Sequence, residues 1–121
     1  MSYLFARNDE KLRPAYFTPW GFIHFCSGIL LYLFFSLLRM DTMSNFALSL
    51  TIHTLHEIID IYIRRYTVEN SIGDTITFIA GFWLAWVFFK RTPLAFNERM
   101  FLLLGFLTAI NASIYYIEDL G

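Results

Sequence analysis

Three long stretches of this chain carry almost no charge, and they restrict the possible folds more than any other feature. Residues 19–38 and 100–117 contain no Lys, Arg, Asp or Glu, and residues 71–89 contain one such residue, Asp74. A helix crosses the hydrocarbon core of a bilayer with about 20 predominantly apolar residues. The three stretches therefore predict three membrane-spanning helices.

Residues 45–63 form a fourth apolar stretch, but it contains two histidines and two acids. Its Leu, Ile and Phe residues favour insertion by roughly 3 to 5 kcal/mol, whereas two carboxylates at mid-membrane oppose it by roughly 5 to 7 kcal/mol. This segment is not expected to insert by itself. It is predicted to be a transmembrane helix that depends on its neighbours, or else a re-entrant or partial span.

The predicted fold is an all-α integral membrane bundle of four transmembrane helices, at about 19–38, 45–63, 71–89 and 100–117. Residues 1–18 are expected to form a polar N-terminal tail, and residues 19–121 a single transmembrane helical domain. The composition agrees, because 57% of the 121 residues are hydrophobic and 16% are charged. Soluble domains average about 45–50% apolar and about 25% charged residues.

Charge and cysteine content exclude other classes of protein. A net charge of −1 is not that of a nucleic-acid-binding protein. The single Cys26 cannot form a disulfide within the chain or build a zinc site made of cysteines. The expected partners are the lipid bilayer and other membrane proteins or a larger assembly.

The ionisable residues inside the predicted spans are the most informative for function. All three histidines and three acids lie there, and no Lys or Arg does. At 3.6 residues per turn, the polar residues of the second helix fall within about 100° of arc and those of the third within about 60°. The two faces and the histidine of the first helix are predicted to form a polar intramembrane network. Its members are His24, His53, His56, Glu57, Asp60, Asn70, Asp74 and Thr77.

Intramembrane ionisable residues are functional candidates by default, and four roles remain open for this network. It could lock helices 2 and 3 together, bind a polar headgroup or a proton, or form a docking surface for a larger partner. It could also bind a divalent metal, because imidazole and carboxylate together suit zinc, iron or manganese. The candidate metal ligands are His53, His56, Glu57, Asp60 and Asp74.

The run from His56 to Asp60 resembles the zincin motif H-E-x-x-H, with Asp60 in place of the second histidine. Small residues are further predicted to be helix-packing positions, because they allow backbones to approach closely. These positions are Gly28, Gly81, Gly105 and Ala109. Gly81 is expected to bring helix 3 close to helix 2.

Three short motifs resemble those of VanZ-like membrane proteins and, more closely, of a related family of uncharacterised small bacterial membrane proteins. They are His24-x-x-x-Gly28, Glu57-Ile-Ile-Asp60, and the run from Asn70 to Asp74 followed by Gly81. Together they cover roughly residues 20–87. The resemblance implies that the acidic residues and Asn70 belong to one constellation, and it brings no settled biochemical activity.

The sequence favours a non-enzymatic role: a small multi-pass structural or accessory subunit of a larger membrane-containing assembly. In this interpretation the polar network locks the helices and needs no cofactor. The alternative is an intramembrane enzyme that binds a metal or a lipid headgroup, with Glu57 as its catalytic base. Metal content separates the two interpretations, because a locking network has no bound metal to lose.

Overall fold

A computed structural model of the chain describes residues 3–5, 15–64, 67–91 and 95–120. It has two short strands followed by four helices, so the predicted helical architecture is present in its coarse form. The elements are β1 (Tyr3–Phe5), β2 (Ala15–Phe17), α1 (Trp20–Leu37), α2 (Thr42–Tyr62), α3 (Val68–Arg91) and α4 (Phe96–Leu120).

The two strands were not predicted, because three residues are too few to show an alternating pattern. They pair in parallel, with Tyr3 opposite Ala15 and Phe5 opposite Phe17. β2 lies against α3 at Gly73, where a Cβ atom would overlap the backbone carbonyl of Tyr16. Glycine at position 73 therefore permits the start of the chain to pack onto α3.

α1 and α3 form the centre of the fold, and they cross in backbone contact at two glycines. A Cβ atom at Gly28 of α1 would lie 2.8 Å from the backbone nitrogen of Phe82, and one at Gly81 of α3 would overlap the carbonyl of Phe25. The expectation that Gly81 serves an α2–α3 contact was wrong. Gly81 lies on the side of α3 that faces α1, and α1 is the helix that packs most extensively on α3.

α2 has an inverted pattern of burial. Its fully buried residues are all polar: Asn45, Ser49, His53, Glu57 and Asp60. Its outward face carries large apolar side chains, among them Met43, Leu48, Ile52, Leu55, Ile58 and Ile59. A surface helix of a soluble protein places its apolar face toward the core, so α2 has the reverse arrangement.

α2 begins with a side-chain cap. The carboxylate of Asp41 accepts a hydrogen bond from the backbone N–H of Ser44 at 3.1 Å. Hydrogen bonds from Ser44 hold the pKa of the Asp41 carboxyl below its usual value. After α1 the chain passes through Arg39, whose φ of 60° lies in the left-handed region. The cap at Asp41 then fixes the residue at which α2 begins.

α4 packs on α1 through bulky side chains, not through its small residues. Ile110 is buried against Ile23 and Cys26, with Phe106 and Ile114 beside it. Gly105 and Ala109, which were predicted to be helix-packing positions, contact no other helix of the described chain in this way: both are exposed, and a Cβ at Gly105 would meet nothing within 4 Å. The physical reason is that the opposite face of α4 carries larger apolar side chains and so buries more surface.

Two of the helices are long and apolar enough to cross a membrane: Trp20–Leu37 and Val68–Lys90. The prediction of four such spans is therefore not met among the described residues. α2 falls short because its inward polar residues are spread along its whole length.

Candidate functional site

The polar stripe of α2 faces the crossing of α1 and α3, and there it meets side chains from both. His24 lies one helical turn before Gly28, so the close approach at that glycine also brings His24 against α3. The Nε2 atom of His24 lies 3.2 Å from Oδ2 of Asp74, and both side chains are buried. This contact joins two of the predicted site residues across the interface.

Glu57 occupies the centre of the cluster with an incompletely satisfied carboxylate. Its Oε1 atom lies 3.8 Å from Nδ1 of His24 and 3.7 Å from Nε2 of His53, which is too far for hydrogen bonds. A side-chain hydrogen bond from Ser71 reaches the carboxylate. Oε1 itself is buried without a hydrogen-bond partner among the described residues, in a side chain that is 5% exposed.

His53 is held in place by α3 on two sides. Its ring stacks on Phe78 with centroids 4.4 Å apart, and its Nε2 atom lies 3.1 Å from the hydroxyl of Thr75. Thr75 was not among the predicted site residues, because the periodicity argument selected the face of Asp74 and Thr77. The two neighbouring positions 74 and 75 instead contact two different histidines.

An outer group lies one turn further along α2. Asp60 is buried, and its two carboxylate oxygens contact Nε2 of His56 at 3.2 Å and Nη1 of Arg64 at 3.1 Å. The side chains of His56 and Arg64 are about half exposed, at 48% and 55%. Asp60 is thus paired with a residue of its own helix and with one just beyond the end of that helix, whereas Glu57 faces the other helices.

Two predicted network members do not make the expected side-chain contacts. Thr77 donates its hydroxyl hydrogen to backbone carbonyls of its own helix, at Gly73 and Asp74. Asn70 is buried, but its side-chain nitrogen has no hydrogen-bond partner among the described residues. The inner cluster therefore consists of His24, His53, Glu57 and Asp74.

Two further polar residues connect α2 to α1, and the sequence analysis missed them. Asn45 donates from Nδ2 to the carbonyl of Tyr32 at 3.1 Å, and Ser49 donates to Oδ1 of Asn45 at 3.0 Å. A signal was available, because residues 45, 49, 53 and 57 repeat at intervals of four. Their contacts anchor the start of α2 and so help to position His53 and Glu57 two turns later.

The inner cluster has the composition and spacing of a metal-ligand set. His24, His53 and Glu57 each offer a ligand atom, and these atoms lie within 4.8 Å of one another. On a tetrahedral zinc ion with bonds of about 2.0–2.2 Å, neighbouring ligand atoms lie roughly 3.3 Å apart. The observed separations of 3.7 and 3.8 Å from Glu57 Oε1 are within a few tenths of an ångström of that value.

A second set of possible ligands shares Glu57. It consists of His56, Glu57 and Asp60, all on α2, and His56 is exposed. Both carboxylate oxygens of Asp60 already contact His56 and Arg64, so this set is occupied by its own ion pairs. The inner set is the better candidate because its ligands come from two helices and are all buried.

The charges around the site also favour a cation. Among the described residues, Arg64 is the permanently cationic side chain at this group of three buried carboxylates, Glu57, Asp60 and Asp74, and it contacts Asp60. Buried carboxylates without compensating charge are strongly unfavourable. A divalent cation would balance the two negative charges that remain.

A cavity of about 430 Å³ borders the cluster between α1 and α2. His24, His53 and His56 form part of its wall, and Phe78 of α3 and Ile114 of α4 also reach it. A metal held by His24 and His53 would therefore be next to a space that can admit a ligand. Catalytic metal sites keep such an open position.

Comparisons with known proteins were made at three levels. No family model, no curated protein and no solved structure matches this chain. The similarity to VanZ-like proteins thus rests on the three short motifs alone. Of those motifs, the structure brings His24, Glu57 and Asp74 into one cluster.

Proposed function

We propose that this protein is a membrane-embedded helical bundle that binds a divalent transition metal, with zinc as the best fit, through His24, His53 and Glu57. One observation carries the proposal: a buried carboxylate oxygen of Glu57 has no hydrogen-bond partner in the described part of the chain and lies almost equidistant from two imidazole nitrogens. Buried polar atoms in folded proteins are nearly always satisfied. A metal ion between these three atoms would give that oxygen a partner.

The membrane part of the proposal is supported by the inverted burial of α2. Its polar residues face α1 and α3, and its apolar residues face outward, where a bilayer would cover them. α1 and α3 are the two helices with the length and composition of spans. With these two as its core, α2 inserts as part of a multi-pass bundle, since its carboxylates are then sheltered from lipid.

The geometry favours metal binding over a purely structural polar network. A locking network stabilises a bundle when each of its members is hydrogen-bonded, and a partly satisfied network is less stable than an apolar core. Here the contacts between Glu57 and the two histidines are too long for hydrogen bonds. The Asn45 and Ser49 contacts already connect α2 to α1 without them.

Elemental analysis of the purified protein in a neutral detergent, after zinc incubation and dialysis, tests this function. The wild type should retain one zinc per chain, and His53→Ala and Glu57→Gln should retain none. His56→Ala is the matched control, since it removes a histidine from the same helix but leaves the inner set complete. A wild type without zinc, or equal loss in all three variants, would overturn the proposal.

A second candidate is the accessory-subunit role, which the outer face of α4 favours. Phe101 is 76% exposed on this face, beside the exposed Gly105 and Ala109. Small residues flanked by large apolar ones are typical of contacts between membrane helices, and the proposed occupant is a transmembrane helix of a larger assembly. Gly105→Leu should release co-purifying membrane proteins while zinc content is unchanged. An unchanged set of co-purifying proteins would contradict this role.

A further inference from the structure

The cavity beside the inner cluster has the size and shape of a binding site for a small molecule. Its volume of about 430 Å³ lies within the range of roughly 300–1,000 Å³ found for ligand pockets. Its wall on α1 extends from Trp20 to Leu31, which corresponds to about 16 Å of helix at 1.5 Å per residue. The cavity is thus elongated along α1.

The two ends of this cavity differ in chemistry. One end is lined by the imidazoles of the inner and outer groups and by Arg64, whose side chain is half exposed. The other end, beyond Ser27 on α1, is lined by Leu30 and Leu31. Ile52 and Ile114 add apolar surface from α2 and α4, so the body of the cavity is apolar and its head is polar.

The polar end is suited to an anion. Among the described residues that line the cavity, Arg64 is the one with a permanent charge, and the imidazoles are hydrogen-bond donors or metal ligands. The carboxylates of Glu57, Asp60 and Asp74 lie behind this wall, not in it. An anionic group in the cavity therefore meets the outward sides of Arg64 and the imidazoles, while Asp60 contacts Arg64 and His56 from behind the wall.

We propose that the cavity binds an amphiphile with a phosphate headgroup, such as an alkyl phosphate or a single-chain phospholipid. The phosphate lies at Arg64 and the imidazoles, and the alkyl chain lies along Leu30 and Leu31 of α1. The amphiphile would bind at the proposed metal site, so in one respect this inference rests on the proposed function. Zinc held by His24 and His53 would offer a further coordination position for a phosphate oxygen. Arg64 contributes to binding with or without the metal.

The test uses quenching of Trp20 fluorescence, because Trp20 lines the cavity. The protein carries Trp83→Phe and Trp86→Phe, so that Trp20 is its single tryptophan, and is studied in a neutral detergent. The probe is 12-bromododecyl phosphate, whose bromine quenches indole on contact. Calorimetric titration of the unmodified chain with dodecyl phosphate provides a second measurement that does not depend on the two substitutions.

Dodecyl phosphate should bind at least about tenfold more tightly than ethyl phosphate, because each buried methylene group is worth about a fourfold gain in affinity. Arg64→Gln should weaken binding about tenfold by removing a charge-assisted hydrogen bond. In the calorimetric titration, Leu31→Trp should abolish binding of dodecyl phosphate by filling the apolar end. Leu104→Trp is its matched control, since it adds the same indole to an exposed position of α4 that lines neither this cavity nor the one beside Leu30 and Leu31, and it should leave binding of dodecyl phosphate intact.

Equal affinity for ethyl and dodecyl phosphate would overturn the proposal, since the site would then bind free phosphate. Equal binding of 12-bromododecanol would also overturn it, since the phosphate would then be irrelevant. The titration is repeated with chelator present, which separates this proposal from the proposed function. Phosphate-dependent binding that survives without zinc supports the amphiphile site even if the metal centre fails, whereas a zinc-loaded protein that does not bind dodecyl phosphate overturns the amphiphile site alone.

Discussion

At the scale of single residues, the properties of the site depend mainly on the position of Glu57. Its carboxylate is buried between two histidines, neither of which is close enough to form a hydrogen bond with it. Asp60, three residues later, has the same charge but contacts both His56 and Arg64. The two acids of one helix therefore differ: Asp60 is paired with two nearby side chains, whereas one carboxylate oxygen of Glu57 has no hydrogen-bond partner among the described residues.

Glu57→Gln should raise the thermal stability of the metal-free protein and abolish its stabilisation by zinc. The amide removes a buried charge without changing the shape of the side chain. In the wild type, zinc at about 100 times its dissociation constant should add about 2.7 kcal/mol to the free energy of unfolding. Thermal unfolding with zinc and with chelator measures both effects. If Glu57→Gln lowered the stability of the metal-free protein, Glu57 would belong to a structural network instead.

At the scale of elements, close helix packing depends on where each glycine lies. Gly28 and Gly81 lie in the α1–α3 crossing, where a Cβ atom would meet backbone, and Gly105 lies on an open face of α4. Glycine thus allows close packing of α1 on α3, whereas on α4 it lies on a face that is left uncovered. The crossing also sets the distance between His24 and Asp74, so the site depends on it.

Gly81→Ala should destabilise the bundle by about 1–3 kcal/mol, because the new methyl group would overlap the backbone of α1. Gly105→Ala provides a matched control and should stabilise the protein by up to about 1 kcal/mol through better helix propensity. Unfolding of both variants by heat or denaturing detergent gives the comparison. Equal effects of the two substitutions would contradict the observed crossing.

The cap of α2 should make a small, pH-dependent contribution to stability. The folded-state pKa of Asp41 lies below its ordinary value of 3.8, so the cap stabilises the fold above that pH and is lost as the pH falls through the lower, folded value. Asp41→Asn retains the hydrogen bond and does not titrate. Between pH 6 and pH 3 the wild type should therefore lose more thermal stability than Asp41→Asn, and equal losses would show that the cap does not titrate.

At the scale of the whole molecule, the distribution of polar and apolar residues is that of a protein whose outside is less polar than its centre. α2 exposes Leu55 and Ile58 while it buries Glu57 between them. α1 and α3 have the dimensions of membrane spans. The proposed bilayer around the bundle would account for both features, since lipid would cover the apolar exterior while the helices shelter the carboxylates.

Cysteine labelling in membranes tests this arrangement. In a Cys26→Ala background, Leu55→Cys should resist a membrane-impermeant maleimide in intact vesicles and in vesicles opened to both sides. Ser44→Cys, exposed at the start of the same helix, should react when its side of the membrane is accessible. Rapid labelling of Leu55→Cys by the impermeant reagent would place α2 in water.

Much of the helical architecture could be predicted from the chain because it follows from local periodicity. The apolar runs place all four helices, and the 3.6-residue repeat correctly groups His53, Glu57 and Asp60 on one buried face of α2. The β1–β2 pairing could not be predicted, because it joins two three-residue segments that are separate in sequence. Periodicity also could not show that Thr75, and not Thr77, contacts His53, because this depends on how far α3 is rotated about its axis.

The sequence by itself determined the helices, the polar stripe of α2 and the segregation of ionisable residues from the lipid-compatible faces, since each follows from residue type and helical spacing. Tertiary structure decided which helices meet. It placed Gly81 against α1 instead of α2, turned Gly105 outward, and brought His24 within 3.8 Å of Glu57 across 33 positions of sequence. The physical reason is that several helix faces have similar composition, so composition does not decide which of them pack together. The shape and area that each face can bury decide it, and these depend on all the helices together.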